Sequence, residues 1–212
     1  KGTVKTETEA AAAGGYTAVL AMPNVVPAPS DLSSLEVMEQ IIRKDAAIKV
    51  IPYGTITKEQ SGRGSLSAMD EIAGRVASFS DDGKGVQDEA LMRQAMIKAA
   101  ALDRVITAHC ENEAYPAKDA RSEWTEAVRD IQLTEETGAA LHICHVSSAR
   151  TLEAVREAKA RGVNVTCETA PHYIAFSEED VTDDGKFKMS PPIRSERDKA
   201  AILEAVKDGT ID

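Results

Sequence analysis

Apolar residues recur along this chain with two periods, and the switching between them divides it into alternating short and long segments. Residues 16–22 form an apolar run too short for a helix, closed by Pro23 and Asn24, and residues 31–44 follow as a helix with Ser30 or Asp31 as its cap. Residues 48–53 predict the next strand and 65–73 the next helix. Residues 75–80 lead into a helix over 87–102, which places Leu91, Ala95, Met96, Ala99 and Leu102 on one face. Residues 104–108 lead through a loop into a helix over 122–137, ended by Gly138 as a C-terminal cap would end it. The pattern repeats with a strand over 141–144 and a helix over 148–161, ended by Gly162, then a strand over 163–168 and a last helix over 195–207.

Strands alternating with helices, without hairpin signals, indicate a parallel α/β architecture. An open doubly wound sheet is the competing fold, but it normally carries a glycine-rich phosphate turn, and no GxGxxG or Walker sequence occurs. Gly83-Lys84-Gly85 follows a strand yet lacks the remaining glycine, so it reads as a turn. The expected fold is therefore a (β/α)8 TIM-type barrel. A closed barrel needs eight strands and ~250 residues, whereas 212 residues carry six predicted strands here. The barrel is expected to be incomplete, with the first and last strands missing and a further strand beginning near Ile211-Asp212. The chain does not begin with Met, in keeping with that expectation. A single domain over residues 1–212 follows.

Composition narrows the class without changing the fold. With 42% hydrophobic and 28% charged residues the chain is an ordinary globular one. Its longest apolar runs, such as 95–102 broken by Lys98, fall far short of the ~20 residues that span a bilayer. The first nine residues contain no apolar signal-peptide core. A net charge of −10 with scattered basic residues argues against a polyanionic partner, so neither nucleic acid nor membrane is expected. Cys110, Cys144 and Cys167 are odd in number and lack CxxC spacing, which suggests reduced core thiols in a cytoplasm.

Candidate chemistry sits where the predicted strands end. Asp81-Asp82 closes 75–80, His109 closes 104–108, and His145 closes 141–144. A parallel barrel delivers every strand's C-terminal residue to one rim, whatever the separation in sequence, so these groups are expected to converge. Neutral imidazole and carboxylate suit zinc and similar divalent ions, and a metal there points to hydrolysis of a polarised carbonyl. Each histidine also has a plainer reading as a satisfied core residue. Strand alternation puts His145 with Leu141 and Ile143 and puts His142 with Cys144, so His142 is expected to face outward. One of the paired aspartates serves as a turn cap, while an inward carboxylate beside two imidazoles is costly without a cation. Glu168 is a weaker candidate for orienting a ligand, His172 reads as structural, and Pro191-Pro192 shapes the loop before the last helix.

Seven strings occur in order: MPN at 22–24, FSDDG at 79–83, AHCEN at 108–112, CHVS at 144–147, TCETAPHY at 166–173, KMSPPIR at 188–194 and DGTID at 208–212. Together they resemble bacterial class I dihydroorotase of the amidohydrolase superfamily. The resemblance implies a two-zinc barrel hydrolase that interconverts N-carbamoyl-aspartate and dihydroorotate in pyrimidine synthesis. It implies that Asp82, chosen over Asp81 on the motif, bridges the metals, that His109 and His145 are ligands, and that Asn24 contacts the substrate carboxylate. The paired aspartates, where many superfamily relatives use a carboxylated lysine, favour dihydroorotase over hydantoinase. Homodimerisation or association with aspartate carbamoyltransferase is the partner expectation.

The pattern also has departures. The family's His-x-His pair would precede Lys1, and its catalytic Asp would follow Asp212, so half a site and negligible activity are expected of these 212 residues alone. Residues 113–121 are shorter than the family loop. Ser190 stands where the family commonly has a substrate-touching Asn. Ser190 keeps open a hydantoin- or allantoin-cleaving reading, and the absent ligands keep open a non-catalytic homologue that acts as an assembly partner.

Overall fold

Every apolar run too short for a helix ends up in a parallel ladder. In the computed structural model, which describes residues 2–183 and 185–212, β1 (Ala18–Ala21) pairs with β2 (Lys49–Pro52). A second sheet has the order β3 (Val105–Ala108), β4 (Ala140–Ile143) and β5 (Val165–Cys167), again all parallel. The helices are α1 (Val4–Ala13), α2 (Leu32–Asp45), α3 (Met69–Ile72), α4 (Glu89–Ala101), α5 (Ala120–Thr137), α6 (Ala149–Ala160), α7 (Pro171–Ala175) and α8 (Glu196–Asp208).

The strand expected over 75–80 contributes a single rung. Phe79 bridges Gly54 on one side and Ile106 on the other, both in the parallel sense, and so joins the two sheets into one arc. The rung is short because the Ser78 hydroxyl donates to the Val105 carbonyl, and the Phe79 N–H reaches that same oxygen only at 3.4 Å. A serine side chain here competes with the ladder for an acceptor. Gly54 is required at the junction, since a Cβ there would lie 3.0 Å from the Phe79 ring and 2.8 Å from Ile72.

The arc turns one face to the helices. Phe79, Ile106, Leu141, Ile143 and Cys167 are buried there in a single core with Leu91, Met92, Ala95, Met96 and Ala99 of α4, together with residues of α5 and α6. This face of α4 follows the 3.6-residue period predicted for it, and Asp88 caps the helix by accepting from the Leu91 N–H.

Three helices differ from expectation, one of them α7, a five-residue helix that no apolar period announced. The predicted 65–73 helix shrinks to α3, because residues 65–67 pair antiparallel with 56–58 instead: Thr57 bridges Leu66, and the Ser67 N–H donates to Ile56 at 2.9 Å. The Ser67 hydroxyl also donates to the Thr55 carbonyl, a local bond that favours the extended form. Conversely, the N-terminal stretch read only for its lack of a signal core forms α1, whose run of alanines has high helix propensity and whose start is boxed by Thr3 and Thr6. Lys1 itself lies outside the described residues. No helix is long and apolar enough to cross a membrane among the described residues.

Candidate metal centre

Two adjacent aspartates leave the Phe79 rung in different directions. Asp81 is 1% exposed and turns into the protein, where its carboxylate accepts from the N–H groups of Ile56 at 2.8 Å, Thr57 at 3.1 Å and Gly62 at 3.3 Å, and from the Thr57 hydroxyl. Burial pushes its pKa up, opposed by those hydrogen bonds, which favour the anion. Asp81 is thus a brace that ties the loop after β2 to the strand arc. Asp82 instead faces the rim, and with His109 and His145 it forms a group whose ligand atoms all lie within 4.8 Å of one another.

The distances in this group are specific. Asp82 Oδ1 is 3.9 Å from His109 Nδ1 and 3.7 Å from His145 Nε2, and the two ring nitrogens are 2.9 Å apart. The rings meet edge to face, with centroids 4.7 Å apart. Asn24 donates its amide to Asp82 Oδ2 at 2.8 Å, and the Gln60 amide donates to the Asp82 carbonyl. Tetrahedral zinc with bonds of ~2.0–2.1 Å holds ligand atoms about 3.3 Å apart. Three donors spaced 2.9, 3.7 and 3.9 Å apart need shifts of only a few tenths of an ångström to meet that demand. The donor set, two imidazoles and a carboxylate, is also the one a borderline divalent ion accepts.

His145 reaches the site by a route that strand alternation does not describe. Leu141 and Ile143, the residues with which it was grouped, are buried against the helices, whereas His142 and Cys144 line a cavity inside the arc. The outward placement expected for His142 is therefore incorrect. His145 lies beyond the end of β4 with φ at 36°, a left-handed conformation that breaks the two-residue alternation and swings the imidazole back to the rim. Backbone strain of this kind in a non-glycine residue costs on the order of 1–3 kcal/mol and concentrates at functional sites.

The environment fixes how His109 presents itself. Its ring is almost fully buried, and Nε2 lies 2.9 Å from Glu111 Oε2. The hydrogen bond from His109 pulls the Glu111 pKa down, and another from the Ser190 hydroxyl adds to that, so the carboxylate is ionised and can only accept. Nε2 must then carry the proton, and Nδ1 offers its lone pair toward Asp82 and His145. A carboxylate that orients an imidazole in this way is a common support for a metal ligand. Glu111 was not anticipated as a site residue, although it sits two residues after His109 within the AHCEN string.

A layer of buried charge holds these groups from behind. The Glu111 N–H donates to Glu126 at 3.1 Å, and Arg129 binds both Glu126 and Asp130, at 3.1 and 2.7 Å. Desolvation raises both buried carboxylates, and for Glu126 the charge of Asp130 raises it further. Gly85 passes so close that a Cβ would lie 2.3 Å from Glu126 Oε2, which excludes any side chain there. On the other flank, the loop carrying Ser190 is anchored by Arg194. Its guanidinium donates to Ser147 Oγ at 3.1 Å and to the Lys118 carbonyl at 2.7 Å, and lies 3.9 Å from Glu123.

The remaining candidates fall as follows. Glu168 accepts from the His145 N–H at 3.4 Å. His172 sits in α7 against the Tyr173 ring, and burial lowers its pKa. All three cysteines are free and buried, with Cys110 and Cys167 in the core and Cys144 on the cavity.

Against known proteins, a family model described as Dihydro-orotase-like matches residues 1–125. The chain belongs to the dihydro-orotase-like family. Among curated proteins of this kind, the dihydroorotase of Fusobacterium nucleatum subsp. nucleatum is 42% identical over 230 residues, covering 100% of this chain and 54% of that protein. The dihydroorotase of Anoxybacillus flavithermus is 39% identical with the same coverage. Among solved structures, L-hydantoinase (dihydropyrimidinase) from Arthrobacter aurescens superposes with a TM-score of 0.85 at 23% identity, covering 100% of this chain and 52% of that one. That likeness shows the fold: the arc is part of a TIM-type barrel. The chain spans about half the length of the curated relatives it matches.

Proposed function

We propose that Asp82, His109 and His145 hold a divalent cation of the zinc type, and that the full-length protein is a dihydroorotase. The observation that carries this reading is the convergence of one carboxylate and two imidazoles, from three separate strand ends, to within 4.8 Å. The family supports the substrate, since its named relatives are dihydroorotases. When bound, such an ion supplies hydroxide at neutral pH, by lowering the pKa of water from ~15.7 to ~7, and a Lewis acid for a ring carbonyl. The resemblance implies a two-ion centre.

The chain's own residues do the positioning. Glu111 sets the tautomer of His109 so that Nδ1 faces Asp82. Asn24 holds Oδ2 of Asp82 and so leaves Oδ1 toward the imidazoles. Asn24 also stands at the rim where a substrate carboxylate would lie, and Ser190 borders the site through Glu111. Both are assigned to substrate contact. A cytoplasmic location and a role in pyrimidine synthesis accompany this reading.

The test is a rate comparison on the purified full-length protein with its metal content measured. Turnover of dihydroorotate well above that of hydantoin, lost on chelation and restored by zinc, is expected. Faster turnover of hydantoin would move the substrate assignment, and metal-free protein with full activity would end the metal reading.

A further inference from the structure

A second group of metal-ligating side chains lies beside the rim, on the inner face of the arc, and the proposed activity does not use it. His142, Cys144 and Glu168 each offer one ligand atom, and those atoms also lie within 4.8 Å of one another. The backbone dictates this meeting. His142 and Cys144 are two apart where β4 ends, so both project inward. Glu168 follows β5, the neighbouring parallel strand, in which Cys167 is paired with Ile143. The absence of CxxC spacing does not exclude a thiolate ligand when strand pairing supplies the partners.

Three further observations favour a cation here. The group lines a cavity of about 420 Å³ shared with Tyr16, Leu20, Tyr53 and Thr107. His142 Nδ1 is held 2.8 Å from Thr166 Oγ1, which fixes the ring and leaves Nε2 as its other nitrogen. The donor set is sulfur, nitrogen and oxygen, and the thiol selects thiophilic ions over calcium or magnesium.

We propose that His142, Cys144 and Glu168 form a second cation site, selective for a thiophilic divalent ion of the zinc and cadmium type. Three protein ligands leave the fourth tetrahedral position open to the cavity. The metal–sulfur bond forms as the thiol proton leaves to solvent, so one proton is released per ion bound. Because Glu168 also accepts from the His145 N–H, occupancy here draws on a carboxylate that touches the rim group.

Cadmium is the probe, because its bond to thiolate gives an ultraviolet charge-transfer band that carboxylate and imidazole ligands do not. It is titrated into the full-length protein carrying Asp82→Ala, which removes the rim carboxylate, and into the unsubstituted protein. One thiolate band is expected in both, saturating at one ion per chain where the rim carboxylate has been removed. The band is expected to vanish with Cys144→Ser and to need roughly tenfold or more cadmium with His142→Asn or Glu168→Gln, both of which keep the thiol. Absence of the band in the unsubstituted protein overturns the proposal. So does its survival in Cys144→Ser, which would assign it to another cysteine, or an unchanged affinity in both His142→Asn and Glu168→Gln, which would leave a lone thiol. None of these outcomes bears on the rim group, whose own test is loss of turnover.

Discussion

On the face of the strand arc turned to the helices, Ile106, Leu141 and Ile143 are at most 1% exposed. The opposite face of the same strands sets Thr107, His142 and Cys144 around an open cavity. Both faces come from one backbone whose side chains alternate, so every second residue answers to a different requirement. The helix side is filled by apolar groups that exclude water. The inner side and the rim carry groups that water or a cation must satisfy, and each of these is held by a polar neighbour: Asp82 by Asn24, His109 by Glu111, His142 by Thr166. Stability and chemistry are thereby assigned to alternate positions, and substitutions on the two faces should fail in different ways.

The largest effect is expected at the rim. Asp82→Ala or His109→Ala in the full-length protein should lose the rim metal and dihydroorotate turnover together, leaving at most the ion held by His142, Cys144 and Glu168, while the unfolding midpoint in urea moves little. A folded variant that keeps both would break the division between the faces. Next comes the helix side, where Ile143→Ala should cost about 2–5 kcal/mol in urea unfolding, through lost burial plus the cavity left behind. Although Ile143 lies within two residues of Cys144 and His145, its side chain is buried in the core on the helix side, so the metal content of the variant that remains folded should be unchanged. Loss of metal at full stability would invert the comparison.

Smaller effects sharpen it. Glu111→Gln retains the shape but not the obligate acceptor at His109 Nε2, and zinc affinity should weaken by roughly 10- to 100-fold as outer-shell changes do. An affinity within twofold of the original would remove Glu111 from the site. The smallest effect concerns the charge layer behind it. The pKa of Glu126 is raised above its ordinary 4.5 by burial and by Asp130, so between that value and its higher folded one the native state holds a proton that the unfolded chain has released. Stability should therefore fall as pH rises through that window, and Glu126→Gln, which cannot titrate, should flatten the dependence measured by urea unfolding. A slope of the same size in the variant would place the proton elsewhere.

Much of this was legible along the chain. The alternation of short apolar runs with 3.6-period helices located all six strand segments, and the strand-end positions of Asp82, His109 and His145 pointed to one rim. The route by which His145 gets there was not legible, because alternation holds only within a strand and a residue at φ 36° leaves the pattern. Alternation likewise assigned His142 and Cys144 a common face but not which side of the arc that face occupies, and the choice made was the opposite one. The helix expected over 65–73 failed for a related reason, since apolar spacing does not report a serine hydroxyl that finds a carbonyl in a segment ten or so residues away.

The sequence by itself determined the order of elements, the apolar face of each helix and the placing of imidazole and carboxylate at strand ends, because these follow from periodicity and local steric preference. Only the tertiary structure decided which of two neighbouring aspartates is a brace and which faces the site, that Glu111 sets the tautomer of His109, and that a histidine, a cysteine and a glutamate meet inside the arc. Asp81 and Asp82 are chemically identical. What separates them is the set of N–H groups from residues 56, 57 and 62 that surrounds one and not the other, and such a set exists only once distant segments have packed.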